Sequence, residues 1–327
     1  MKRLVLVILV VLDMCSLLAA QKPLLVGTAS MFSDMASNIV GDKFIVKCIV
    51  PIGYDPHIYE PTPNDAKMLY NAQLILKNEL TFEGWLSELI DNSGTKAKVV
   101  TLTEGIEPIR SKLYHNATDP HAWMTARNGL RYIENIRNAV VEFDPANKAF
   151  YDNNYQTYRK KLQEIDQYIQ RRILEVPAEQ RVLITSHDAF QYYGRQYGLQ
   201  LESVLGTSTE ADIMVSDIMR LNKVIQKNKV KSVFIESTIN PKILNQIATD
   251  NQVSIGGSLF ADSIGDTLSP APSYAQMLVY NTDQIVEHLK ISDYRAPSAT
   301  HLGSYAFFGI LGVALLSWFI FYRSIQN

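Results

Sequence analysis

Between Pro145 and Pro177 the chain carries neither glycine nor proline, and Tyr155, Tyr158, Leu162, Ile165, Ile169 and Ile173 recur there at spacings of three, four, three, four and four. That spacing places one apolar stripe on a single helix of about 30 residues. Asp144-Pro145 opens the helix and Pro177 closes it. A stripe this long needs apolar surface along its whole length. A coiled coil is the other arrangement that would provide it, but only about three heptads are present. The stripe therefore predicts a helix lying along two lobes. A rigid helical linker would permit far less hinge opening than flexible crossover strands.

The flanking segments fit two lobes. Leu24–Gly27, Ile45–Val50, Leu74–Leu76 and Val99–Leu102 read as short apolar strands before the long helix. Val182–Thr185, Leu199–Val204, Ser232–Ile235 and Val253–Leu259 read so after it. Helical stretches alternate with them: Thr62–Ala72, Glu83–Asn92, Ala211–Lys229 and Pro241–Asp250. Thr62-Pro63-Asn64-Asp65 gives the first of these a capping residue, an early proline and early negative charge. Alternation of this kind predicts an α/β fold with mostly parallel sheets, here two pseudo-symmetric lobes joined by one long helix. The expected boundaries are 21–143 for the first lobe, 144–177 for the linking helix and 178–292 for the second lobe.

The ends read differently. Met1-Lys2-Arg3, an apolar run from Leu4 to Leu12, and Ala19-Ala20 make residues 1–20 an expected signal peptide. Cys15 raises a lipoprotein alternative, although Met14 stands where a small residue is expected. Ser304–Tyr322 carries no Asp, Glu, Lys or Arg, and at about 1.5 Å per residue it reaches about 28 Å, the hydrocarbon thickness of a bilayer. Aromatic residues toward both ends and Arg323 just beyond predict a C-terminal transmembrane helix with a cytoplasmic tail. Residues 293–303 would form a stem. The body would then sit at the extracytoplasmic face of a bacterial cell membrane.

Composition narrows the chemistry. Thirty-one basic residues against 33 acidic ones, a formal charge of −2, give no case for nucleic acid. Two cysteines, Cys15 and Cys48, exclude a disulfide framework and a cysteine-rich zinc module. A metal site would have to be built from carboxylates and the six histidines. In open α/β sheets ligands bind at the carboxyl ends of strands. His57, His187 and Asp262 follow expected strands closely, and His121 precedes a helical stretch starting near Thr125. Two such residues from each lobe could close around one ion. The spacing alone is unspecific, because no pair shares a helix face as in H-E-x-x-H. His115, His288 and His301 read as loop, polar helix face and stem.

Four segments sharpen this: Tyr54–Pro63 (YDPHIYEPTP), Asp119–Trp123 (DPHAW), Thr185–Phe190 (TSHDAF) and Leu259–Ser263 (LFADS). In that order they resemble the ligand motifs of the zinc/manganese solute-binding receptors of ABC importers, the cluster A-I metal receptors. Asn78-Glu79-Leu80, Glu83-Gly84-Trp85 and Phe234–Thr238 (FIEST) also resemble that pattern, and the likeness runs from about Lys22 to Lys290. The resemblance implies two α/β lobes on one long helix, and His57, His121, His187 and Asp262 as metal ligands. Glu236 becomes a candidate for orienting a ligand. Manganese receptors of this kind usually have Glu where His187 stands. Three imidazoles and a carboxylate suit Zn²⁺, with Mn²⁺ or Fe²⁺ as alternatives. The His/Asp-rich loop of many zinc-specific members is absent, since Glu104–Thr118 holds one histidine. The family is usually tethered by an N-terminal lipid, a further departure.

The expected function is an extracytoplasmic receptor, not an enzyme, that hands a divalent metal ion to a membrane ABC permease. A zinc hydrolase is the first competitor, since three histidines and an open position can activate water. Against it, Asp262 would fill the fourth position. A surface adhesin is the second competitor, carried by the extracellular location alone.

Overall fold

The computed structural model describes residues 22–111, 118–210 and 212–290. The first sheet comprises β1 (Leu24–Gly27), β2 (Ile45–Cys48), β3 (Leu74–Lys77) and β4 (Lys98–Thr101), in the order β2-β1-β3-β4. The second comprises β5 (Val182–Thr185), β6 (Gln200–Ser203), β7 (Ser232–Glu236) and β8 (Ser254–Leu259), in the order β6-β5-β7-β8. Every pairing is parallel. β3 and β5 are buried or nearly so at every position, as central parallel strands with both faces covered must be. Edge strand β2 alternates exposed and half-buried positions.

The helices are α1 (Ser30–Val40), α2 (Pro63–Tyr70), α3 (Leu86–Ser93), α4 (Ala126–Phe143), α5 (Lys148–Leu174), α6 (Gln191–Tyr197), α7 (Val215–Asn228), α8 (Lys242–Asn251) and α9 (Tyr274–Leu289). Each sheet with its flanking helices is a lobe. The cap expected on α2 forms: the Asp65 carboxylate accepts the Thr62 N–H at 2.7 Å. At the end of β1 a Cβ on Gly27 would lie 2.4 Å from Ser33 Oγ. A side chain there would push α1 off the strand.

α5 is the long helix expected between the lobes, preceded by a 3₁₀ turn at Pro145–Asn147. Its buried stripe runs Tyr151, Tyr158, Leu162, Ile165, Ile169, Ile173, while Tyr155 is half-buried beside it. The stripe packs against α1 and α4 of the first lobe and against α9 of the second. Asn154 donates to the Ile39 carbonyl at 3.0 Å, and Tyr168 donates to Asp283 at 2.5 Å. One helix is thus tied to both lobes.

One expectation is corrected. Among the described residues no helix is long and apolar enough to cross a membrane. α5 has the length, with 27 residues, but its outer face is polar and charged. The architecture of the described residues is an α/β body with two parallel sheets and no helix able to span a membrane. The signal peptide expected at 1–20, the stem at 293–303 and the anchor at 304–322 lie outside the described residues.

Candidate metal centre

The carboxyl ends of both sheets deliver the residues singled out in the sequence to one point. β2 leads through the turn Pro51-Ile52-Gly53, closed by the Tyr54 N–H on the Pro51 carbonyl at 3.1 Å. Gly53, at φ +85°, takes the left-handed conformation that a side chain would strain. Asp55 Oδ1 then accepts the His57 N–H at 2.9 Å, and Trp85 Nε1 donates to the Pro56 carbonyl at 2.8 Å. The loop before α4 repeats the tripeptide Asp-Pro-His: Asp119 Oδ1 accepts the His121 N–H, also at 2.9 Å. His187 follows β5 and Asp262 follows β8.

One donor atom from each of His57, His121, His187 and Asp262 lies within 4.8 Å of every other, and all four residues are buried. His121 Nε2 stands 3.2 Å from His57 Nε2 and 3.1 Å from His187 Nε2. Asp262 brings Oδ1 to 3.4 Å from His121 Nε2, and Oδ2 to 3.2 Å from His187 Nε2 and 4.0 Å from His57 Nε2. Neither Asp262 oxygen has a hydrogen-bond donor among the described residues.

Carboxylates hold the far side of two rings. Asp119 Oδ1 lies 2.7 Å from His121 Nδ1. Glu236 Oε2 lies 2.7 Å from His187 Nδ1, while Glu236 Oε1 accepts the His187 N–H at 2.8 Å. With the Nδ1 atoms turned to carboxylates, the Nε2 atoms face inward. Three imidazole nitrogens and an unpaired carboxylate in van der Waals contact, away from water, repel unless a cation or shared protons sit between them.

Without a cation, the electrostatics of the centre favour protons on two of the rings. Burial opposes charge on His121, but Asp119 and Asp262 outweigh it and push the ring up to about 9. Burial likewise opposes charge on His187, and Glu236 and Asp262 overcome it, raising the ring well above its ordinary value. At His57 burial outweighs the pull of Asp262, and the ring comes down to about 3. Burial alone would raise Asp262, but His187 and His121 hold it well below the usual carboxylate range.

A strained turn forms the wall. Glu79, Leu80 and Thr81 lie in succession at φ +73°, +55° and +69°, a left-handed run that costs on the order of 1 kcal/mol per non-glycine residue. The buried Glu83 carboxylate offsets that cost by accepting Asn78 N–H at 2.7 Å, Glu79 N–H at 3.1 Å and Thr28 Oγ1 at 2.6 Å. Burial raises Glu83 to about 7 despite these donors. The turn sets Phe82 edge-on to His57, with ring centroids 5.0 Å apart, and Asn78 Nδ2 donates to the Pro120 carbonyl at 2.8 Å. Asp55, Asp119, Asn78 and Glu83 thus shape the centre; the sequence placed all four in segments that resemble the family pattern but assigned them no role. The repeated Asp-Pro-His was the available signal for the first two.

His288 is elsewhere, on α9, with Nδ1 2.9 Å from the Gln284 carbonyl and its ring against Phe234. His115 and His301 fall outside the described residues.

Comparison with known proteins points to one family. A family profile described as "Zinc-uptake complex component A periplasmic" matches residues 25–288. The iron-binding protein YfeA of Yersinia pestis is 35% identical over 270 residues, 82% of this chain and 86% of its own. The manganese ABC transporter substrate-binding lipoprotein PsaA of Streptococcus mitis is 34% identical over 279 residues, 83% and 90% of the two chains. The solved structure of the periplasmic zinc binding protein TroA from Treponema pallidum superposes with a TM-score of 0.79 at 32% identity, covering 83% of this chain and all of that one. The expected localisation on a C-terminal helix is corrected along with the fold. No described helix can serve as such an anchor, and the streptococcal relative is named a lipoprotein.

Proposed function

The chain belongs to the periplasmic metal-receptor family of zinc-uptake component A, and from that premise we propose that it captures Zn²⁺ between its lobes on His57, His121, His187 and Asp262. It is the substrate-binding receptor of a metal ABC importer, a transporter component and not an enzyme by family. Its partners in this reading are the metal ion, as cargo, and a membrane permease that receives it.

The observation that carries the ligand assignment is His121 Nε2 lying 3.2 and 3.1 Å from two other ring nitrogens, beside a carboxylate with no donor. A tetrahedral ion with bonds of about 2.0 Å sets its ligand atoms about 3.3 Å apart. The two ring–ring distances, 3.2 and 3.1 Å, and Asp262 Oδ2 to His187 Nε2, 3.2 Å, lie close to that separation, while Oδ2 to His57 Nε2 is longer at 4.0 Å. Asp119 and Glu236 orient His121 and His187 and add negative charge behind them. The hydrolase reading is disfavoured because Asp262 occupies the fourth position, leaving no open site for water.

A second reading has its own support. Both Asp262 oxygens face ring nitrogens, as a carboxylate binding through two oxygens would, and relatives are named for manganese and iron. Such five-coordinate binding would suit Mn²⁺ or Fe²⁺.

Titration of His57→Ala and Asp262→Ala with Zn²⁺ tests the site, with losses of about 100-fold or more expected. Unchanged affinity in both variants would remove the assignment. Elemental analysis of protein purified without added metal decides between the two readings.

A further inference from the structure

The two Asp-Pro-His tripeptides use their second carboxylate contact differently. Asp119 turns it to its own histidine, 2.7 Å from His121 Nδ1. Asp55 turns it outward: Oδ2 accepts Thr209 Oγ1 at 2.6 Å, while Oδ1 holds the His57 N–H at 2.9 Å. Thr209 belongs to the loop between β6 and α7 of the second lobe, and Asp55 to the His57 loop of the first. One carboxylate therefore holds the backbone of a residue of the centre with one oxygen and the opposite lobe with the other.

We propose that Asp55 and Thr209 form a latch between the lobes that positions His57 and sets how fast the ion leaves. This rests on the metal-receptor reading above and deepens it. Separating the lobes on the His57 side breaks the Thr209 contact and frees the carboxylate to turn. Turning it releases the His57 amide, so the histidine moves with the opening. Both groups are half-buried, so water competes for the contact and the latch is releasable. The same boundary carries Ser111 Oγ on Asp188 at 2.9 Å and Ser30 Oγ 3.2 Å from Ser263 Oγ. Those contacts close the lobes beside His187 and Asp262, but neither acceptor is seen holding the amide of the adjoining histidine or aspartate. Asp55 joins the two tasks, which makes Thr209 a positioning residue that acts through it.

The test is stopped-flow release of Zn²⁺ from the loaded protein into excess chelator, for wild type, Thr209→Val and Thr209→Ser. Valine keeps the shape and removes the hydroxyl, and serine restores it. Thr209→Val is expected to release Zn²⁺ about tenfold faster, the worth of one hydrogen bond to a charged group. Its association rate should stay at the wild-type value, and Thr209→Ser should release within about twofold of wild type. Wild-type release from Thr209→Val, or equally fast release from Thr209→Ser, would overturn the latch. His57→Ala, titrated in parallel, separates the two claims: if it binds Zn²⁺ normally the metal-site reading has failed, and if it does not, any failure belongs to the latch alone.

Discussion

Replacing Asp119 by Asn probes how the centre is held. Asp119 is fully buried, and its Oδ1 both accepts the His121 N–H and lies 2.7 Å from His121 Nδ1. Adding the width of an imidazole and a metal bond of about 2 Å places that carboxylate about 6.5 Å from an ion on Nε2. At an effective dielectric of about 20, a unit charge and a divalent ion at that distance attract by about 5 kcal/mol. The same carboxylate also holds the competing proton. With His121 at about 9 in the metal-free protein, clearing its ring at pH 7 costs about 2.7 kcal/mol. The difference, about 2 kcal/mol, predicts an affinity loss of about 30-fold for Asp119→Asn at neutral pH. In the variant burial dominates and the ring holds its proton less firmly, so the proton competes less. The loss should therefore grow as pH rises toward 9, where the wild type no longer binds that proton. Competition titration of Zn²⁺ against a chelator, run for both proteins between about pH 6.5 and 9, measures it. A loss that is the same at every pH, or below about threefold near neutrality, would refute the reasoning.

Two further outcomes follow from the geometry. His121 and His187 are both raised and so carry protons near neutrality without metal, while bound imidazoles must be neutral. Metal binding should release protons at pH 7, up to one from each of these rings, with affinity falling as pH drops. Calorimetry in buffers of different ionisation heat counts the protons. Glu83→Ala leaves the Asn78 and Glu79 amides without their carboxylate and frees the left-handed turn under Phe82. It should cost about 3 kcal/mol in denaturant unfolding of the metal-free protein and weaken metal binding through His57.

How much of this was legible in the sequence depends on where the information sits. α5 was readable because an amphipathic stripe is a local pattern, complete within its own residues. α1 and α9 were not singled out. α9 buries nine positions, Asn281 and Thr282 among them, so its buried face is not purely apolar, whereas α1 sets Met31, Phe32, Met35, Ala36, Ile39 and Val40 against Ser33, Asp34, Ser37 and Asn38, a stripe that is local and legible. The anchor expected at 304–322 lies outside the described residues, among which no helix is long and apolar enough to cross a membrane.

The candidate ligands were readable too. Parallel strands put their carboxyl ends on one side; β5 and β8 end within a few residues of His187 and Asp262, and β2 leads through its turn to His57. Of their partners, Glu236 was a candidate through the family resemblance alone, and the ring it backs, His187, lies 49 residues away; Asn78 reaching Pro120 across 42 residues and Thr209 reaching Asp55 across 154 were not readable. The sequence by itself determined the alternation, the long helix and the residue types available for a metal. Only the tertiary structure decided which carboxylate stands behind which ring, because that depends on side chains meeting through space, and no pattern along the chain encodes those distances.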